Sequence, residues 1–209
     1  MKPVLFIDRD GTLIREPADE QIDTFEKLEF YPDVFSNLKK ICQELDFEIV
    51  MITNQDGLGT NVYPEHTFWP VHNFILDTFK NEGIVFEKQF IDRTFAKDNA
   101  PTRKPQTGLL TEYFSEAYDL ENSFVIGDRL TDIELAKNLG CKGIFINDET
   151  HLGEHEISVK QEYLTSFIAL ETNQWENIYS FLKAKQRVGS IVRNTNETKI
   201  DITVNLDGT

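Results

Sequence analysis

Two carboxylates two residues apart, Asp8 and Asp10, stand at the end of the apolar run Val4-Leu5-Phe6-Ile7, and Gly11 follows them. A buried strand with that ending delivers both acids into one cleft, because ligands in open α/β sheets bind beyond the carboxyl ends of strands. One carboxylate can attack phosphorus while its neighbour gives a proton to the leaving oxygen, so the pair suits phosphoryl transfer. Taken alone, Asp-Gly is equally an ordinary turn.

Further groups for that chemistry follow at the ends of later apolar runs. Glu48-Ile49-Val50-Met51-Ile52 leads into Thr53, Asn54 and Gln55, which offer a hydroxyl, amides and backbone N–H groups to phosphate oxygens. Arg103 and Lys104 supply fixed positive charge just before Pro105. Phe124-Val125-Ile126-Gly127 leads into Asp128, with Asp132 one helical turn further on. Each piece has an ordinary reading as a helix cap, a surface pair or a loop dipeptide. Their succession in this order is the argument for a site.

The elements that must position these groups alternate along the chain. Strands are expected near residues 4–7, 48–52, 84–90, 124–126 and 143–146. Helical spacing covers Pro32–Leu45, Pro64–Phe79, Thr107–Tyr118 and Thr131–Leu139. The last of these carries a Thr131-x-x-Glu134 capping box and stops before Gly140. Its amino end lies beside Asp128 and Asp132 and favours their negative charge. Residues 160–185 read as a helical closing segment, and Lys183 to Arg187 as a boundary. Alternating strands and helices imply βαβ crossovers and a mainly parallel sheet.

At the residues singled out above, the chain resembles the haloacid dehalogenase (HAD) superfamily of phosphatases, whose four signature motifs match Asp8 to Thr12, Thr53, Lys104 and Asp128 to Asp132. The resemblance implies a Rossmann-like three-layer α/β fold with a mainly parallel sheet and small loop insertions in place of a large cap domain. Leu5 to Ile14 followed by Glu16-Pro17, Met51 to Thr60 (MITNQDGLGT) and Val125 to Ile133 (VIGDRLTDI) are similar to the histidinol-phosphate phosphatases. That implies Mg²⁺-dependent hydrolysis of L-histidinol phosphate to L-histidinol and phosphate through an aspartyl phosphate.

By the same resemblance Asp8 is the nucleophile, Asp10 the acid and base, and Lys104 the group that offsets negative charge. Thr53 and Asn54 bind phosphate oxygens, while Glu16, Gln55 and Arg103 are the first residues to examine for substrate contact. Asp8, the backbone carbonyl of Asp10, and Asp128 hold the magnesium, with Asp132 orienting from the outer shell. Phosphatases acting on a heptose bisphosphate share the Asp-Arg-Asp-Gly and Arg-Lys-Pro contexts and form the alternative reading within enzymes. A catalytically silent binding or assembly module is the alternative outside them.

Two departures matter. Close relatives commonly hold zinc in the loop before Arg-Lys-Pro, and alignment back from Pro105 places Asp92, Thr94, Ala100 and Thr102 at the ligand positions. No thiol or imidazole occurs from 91 to 103, so no zinc is expected. At the far end, Arg193 to Thr198 and the alternating Ile200, Ile202, Val204 and Leu206 resemble the first strand region of imidazoleglycerol-phosphate dehydratase, which some bacteria fuse behind this phosphatase. The expected division is a phosphatase domain over residues 1–186 and a linker with a dehydratase-like strand region over 187–209. Dehydratase activity is not expected. Leu206-Asp207-Gly208-Thr209 echoes the first phosphatase motif, but Asn205 stands where the nucleophile would be, and a hairpin turn is expected there.

Composition frames these readings. The 209 residues suffice for one α/β domain and a short appendage, and the formal charge of −15 argues against nucleic acid as a partner. The partner expected is a small phosphate ester, with oligomeric state undetermined. Cys42 and Cys141 are isolated and read as reduced core residues. No apolar stretch is long enough to span a membrane, and the first strand starts at once after Met1-Lys2-Pro3, so a cytoplasmic location is expected.

Overall fold

The structure is a computed structural model that describes residues 1–147, 153–186, 188–195 and 198–205. Six parallel strands form the central sheet in the order β3-β2-β1-β4-β5-β6: β1 Val4–Ile7, β2 Glu48–Asn54, β3 Lys88–Asp92, β4 Phe124–Gly127, β5 Lys142–Ile146 and β6 Ile168–Thr172. Among the described residues five α-helices accompany it: α1 Val34–Glu44, α2 Glu65–Asn81, α3 Leu130–Leu139, α4 Gln161–Leu164 and α5 Trp175–Gln186.

The pleat sorts the strand residues into two cores, because successive side chains point to opposite faces. Leu5, Ile7, Ile49, Met51 and Ile126 meet α1, α2 and α5 through Leu38, Ile41, Ile75, Phe79, Trp175 and Ile178. Val4, Phe6, Val50, Ile52 and Val125 face the other way, onto Leu110, Tyr113 and the Leu135, Ala136 and Leu139 side of α3. The result is a three-layer α/β sandwich with a near-continuous apolar reading in β1, as expected of a strand covered on both faces. The chain builds outward from β1 to β3, then crosses back to β4 on the other side of β1. That reversal is the switch point of the sheet, where α/β folds bind ligands.

Four expected elements come out differently. Residues 107–118 form only a short 3₁₀ turn at Thr111–Phe114. The Gly108 N–H bonds the carbonyl of Pro101, which folds the segment back on itself, and only Leu110 and Tyr113 are buried, too few for a helix face. The third strand starts at Lys88, whereas Ile84 and Phe86 fill the core ahead of it. Residues 160–185 contain the edge strand β6 between α4 and α5, and so are not one helical segment. The capping box is displaced: α3 begins at Leu130, and the Asp132 carboxylate accepts the Arg129 N–H at 3.1 Å, while Glu134 instead receives the Ser158 N–H at 2.8 Å.

The closing strands β7 Val188–Asn194 and β8 Lys199–Asn205 pair antiparallel as a separate two-stranded sheet. The turn expected over residues 206–209 lies outside the described residues, as do Arg187, Asn196 and Glu197 of the terminal motif and its linker. Both cysteines are free thiols, Cys141 buried and Cys42 partly so, and burial raises their pKa to about 12 and about 11. Among the described residues no helix is long and apolar enough to cross a membrane.

Candidate active site

The carboxyl ends of β1, β2 and β4 come together at the switch point, where Asp8, Asp10, Thr53, Asn54 and Lys104 line a cleft of about 120 Å³ and Asp128 and Asp132 lie beneath them. Asp8 follows β1, Thr53 and Asn54 are the last two residues of β2, and Asp128 follows β4. Gly11, at φ +72°, allows the turn after Asp8 to pass close to Asp128: a Cβ there would lie 1.9 Å from Asp128 Oδ2. Gly127 does the same for Asp132, whose carboxylate carbon would sit 2.2 Å from an added Cβ. The two glycines thus permit three acids to crowd into one volume.

Asp8, Asp128 and Asp132 each place a carboxylate oxygen within 4.8 Å of the others. Lys104 lies among them, its Nζ 2.6 Å from Asp8 and 2.7 Å from Asp132, with its side chain 3% exposed. Three carboxylates against one ammonium leave two negative charges in a buried site. Desolvation is accordingly the largest effect on Asp8, whose pKa is raised to about 7 despite the opposing pull of Lys104. Asp128 is raised well above the usual carboxylate range, first by burial and then by Asp8 and Asp132. Burial and like charge thus oppose the ionised form of Asp128, against the favourable effect of the α3 amino end beside it.

These residues fit a divalent cation. Asp128 Oδ1 is buried without a hydrogen-bond partner, the donors are all hard oxygens, and the surplus charge equals that of Mg²⁺.

Asn54 lines the cleft with its side-chain amide turned to Lys104, whereas Gln55 lies away from the substrate contact expected of it. Asn54 Nδ2 donates to the Lys104 carbonyl at 3.2 Å and its Oδ1 accepts the Lys104 N–H at 3.0 Å. Its amide is thus spent on fixing the backbone of the lysine. Gln55 is 3% exposed and turned inward, donating to Asp10 at 2.6 Å and to Thr53 Oγ1 at 2.8 Å. It stands behind the cleft wall and does not line the cleft as a substrate contact would.

The rim carries the opposite kind of electrostatics, paired and part-exposed. Arg103 donates to Asp56, to the Thr94 carbonyl at 3.0 Å and to Glu156 at 2.7 Å. Glu16 accepts from Arg129 at 2.8 Å, and its pKa is raised to about 6, burial outweighing the arginine. Asp19, Glu20 and Gln21 complete that wall. The segment bearing Glu156 is anchored to α3 where Ser158 bonds Glu134 through both its N–H and its hydroxyl.

Three of the four positions expected to lack zinc ligands form a hydrogen-bonded cluster of their own. The Asp92 carboxylate accepts the Thr94 N–H at 2.8 Å, the Thr94 hydroxyl at 2.5 Å and the Thr102 hydroxyl at 2.6 Å. Ala100 contributes only its carbonyl, to the Arg103 N–H at 3.2 Å.

Sequence reasoning missed Arg9, Arg129 and Glu156. A lone arginine beside a motif reads as solvated surface, and no local spacing links Glu156 to Arg103, 53 residues away. Arg9 is nevertheless 1% exposed and grips Asp10 through two nitrogens, Nε at 2.9 Å and Nη2 at 3.0 Å.

Known proteins resemble this chain in sequence and in fold. A family described as HAD-hydrolase-like matches residues 101–166, the stretch holding Lys104, Asp128 and Asp132. A protein of Bacteroides fragilis named histidine biosynthesis bifunctional protein HisB is 54% identical over 99% of this chain and 54% of its own length. One of the same name from Spirosoma linguale is 49% identical over the whole chain and 56% of its own length. The chain thus spans about half the length of the curated relatives it matches. Among solved structures, D,D-heptose 1,7-bisphosphate phosphatase from B. bronchiseptica, complexed with magnesium and phosphate, shares the fold with a TM-score of 0.69. It covers 88% of this chain and 99% of its own at 20% identity. The chain thus has the fold of HAD phosphatases, matches the HAD-like hydrolases over residues 101–166, and shares about half of its residues along nearly its whole length with relatives of one name.

Proposed function

We propose that the chain is a phosphomonoesterase that converts L-histidinol phosphate to L-histidinol and phosphate, in keeping with relatives named for histidine biosynthesis. The observation that carries the reading is the Lys104 ammonium seated between Asp8 and Asp132, beside an Asp128 oxygen with no partner. Such a floor keeps one carboxylate fixed and aimed while compensating the charge that a phosphate brings.

Asp8 attacks phosphorus in line. As its oxygen bonds to phosphorus, the ester P–O bond breaks, its electron pair passes to the leaving oxygen, and Asp10 delivers a proton there. Asp10 then takes a proton from the water that attacks the phosphorus of the aspartyl phosphate and releases phosphate. Thr53 Oγ1 accepts from Gln55, which leaves its own proton to donate to a phosphate oxygen. Lys104 offsets negative charge on both the nucleophile and the phosphoryl oxygens. Asp8, the Asp10 carbonyl and Asp128 would hold Mg²⁺, which supplies charge neutralisation at the phosphoryl group when bound. Asp132 acts through Lys104 and the start of α3.

The rim supports an amine-bearing ester over a bisphosphate. Glu16, Asp19, Glu20, Asp56 and Glu156 outnumber Arg103 and Arg129 around the mouth, an environment that attracts an ammonium and repels a second phosphate. Residues 187–209 are proposed to begin a further region with strands like those of imidazoleglycerol-phosphate dehydratase, and the chain is proposed to act in the cytoplasm. The test is phosphate release from L-histidinol phosphate, heptose bisphosphate and p-nitrophenyl phosphate with and without Mg²⁺, with Asp8→Asn as blank. Preference for histidinol phosphate is expected. Preference for the bisphosphate would overturn the substrate, and release from none of them would favour a silent binding module.

A further inference from the structure

Behind the cleft wall, a set of buried polar groups converges on Asp10 from the side opposite the substrate. The Arg9 guanidinium is 4.9 Å over the Phe68 ring, and its Nη1 lies 3.2 Å from His72 Nδ1. Its Nη2 reaches both Asp10 and Gln55 Oε1 at 3.0 Å. His72 is itself buried, stacked on Phe68 at 4.9 Å, and burial followed by Arg9 pushes its pKa down to about 4. It is therefore a neutral imidazole and accepts from the guanidinium. Arg9, Gln55 and His72 do not line the cleft, whereas Asp10 does.

Counting acceptor positions gives this arrangement a direction. A carboxylate offers about four lone-pair positions. Arg9 Nε occupies one on Oδ1, while Arg9 Nη2 and Gln55 Nε2 occupy both on Oδ2. The remaining position is on Oδ1. We propose that Arg9 and Gln55 are positioning residues that clamp Asp10 so that Oδ1 alone carries and receives the catalytic proton, with His72 and Phe68 fixing the clamp to α2. The proposal rests on the reading of Asp10 as the acid and base. It gives Gln55 a role in proton transfer in place of substrate contact, and it makes α2, which supplies no cleft residue, part of the catalytic support.

Orientation of a proton donor matters most where the leaving oxygen is a poor leaving group. First-turnover release of the leaving group should therefore be measured by rapid quench for p-nitrophenyl phosphate and for whichever primary alkyl ester turns over fastest. Gln55→Met keeps the volume and removes the donor. It should slow the alkyl ester by about 10–100-fold, a misorientation effect, and slow the aryl ester at least about tenfold less than that. His72→Phe, which keeps the stack on Phe68 and removes the acceptor behind Arg9, should show the same selectivity at smaller size. Equal losses on both esters, or no loss on either, would overturn the clamp. Asp10→Asn run beside them separates the two failures: if it shows no preference between esters, the acid assignment itself falls, and the clamp with it.

Discussion

The floor and the rim of the cleft are both built from ion pairs, in opposite surroundings. On the floor, Lys104, Asp8 and Asp132 have side chains 3, 6 and 0% exposed, and carboxylates outnumber the one cation. On the rim, Arg129 and Glu16 are 19 and 17% exposed and pair directly at 2.8 Å, Arg103 pairs with Asp56 and Glu156, and Asp19 pairs with Lys27. Buried carboxylates that outnumber their one cation raise the pKa of Asp8 and Asp128 and create demand for a further cation, whereas each rim arginine has a carboxylate partner at a similar level of burial, with Glu16 still raised by that burial. The floor is thereby specialised for one reaction and the rim is open to change in substrate.

Substitutions on the floor should therefore reach chemistry and those on the rim should reach binding. The largest effect is expected from Asp8→Asn, which should cut turnover on the order of 10⁴-fold or more, as loss of a nucleophile does elsewhere. A melting curve should show the fold intact. Lys104→Met follows, with a loss of about 10²–10³-fold in kcat, the scale seen when a charge-stabilising donor is removed. Steady-state kinetics showing a pure KM effect for Lys104→Met would break the distinction between floor and rim.

Metal and pH sharpen it next. The folded-state pKa of Asp8 lies above its ordinary value, so its contribution to stability is present at low pH and is lost as pH rises from about 3.8 to about 7. Asp128 is shifted in the same direction. Metal-free protein should lose stability across that window, and Mg²⁺, which binds the ionised acids, should raise the melting temperature more above the window than below it. Differential scanning fluorimetry with and without chelator reads this directly. A magnesium effect independent of pH would remove the acids from the metal site.

The loop and the rim come last. Asp92→Ala should cost about 2 kcal/mol, since it leaves the Thr94 N–H and two hydroxyls without their acceptor. It should raise KM more than it lowers kcat. Arg129→Ala should change stability by less than about 1 kcal/mol and KM by only a few-fold, with a salt dependence that floor variants lack.

Much of the floor is legible in the chain because each group sits at or just past the end of its own apolar run: Asp8 after β1, Thr53 after Ile52 in the last two residues of β2, and Asp128 after β4. The parts that were not legible depend on contacts distant in sequence. Nothing local shows that Arg9 turns inward, because its partners Gln55 and His72 lie 46 and 63 residues away. The α3 start was misread because Thr131-Glu134 and Arg129-Asp132 overlap as capping patterns, and Ser158 draws Glu134 elsewhere. The short apolar run Ile168 to Leu170 does not by itself distinguish strand from helix; pairing to β5 decides it.

The central claim is that Asp8 takes the phosphoryl group. Rapid acid quench during turnover of the preferred ester, followed by peptide mass mapping, measures it directly. The account predicts a transient phosphoryl group on the peptide containing Asp8, absent in Asp8→Asn. Undiminished turnover by Asp8→Asn, or a phosphoryl group mapped to another residue, would contradict it.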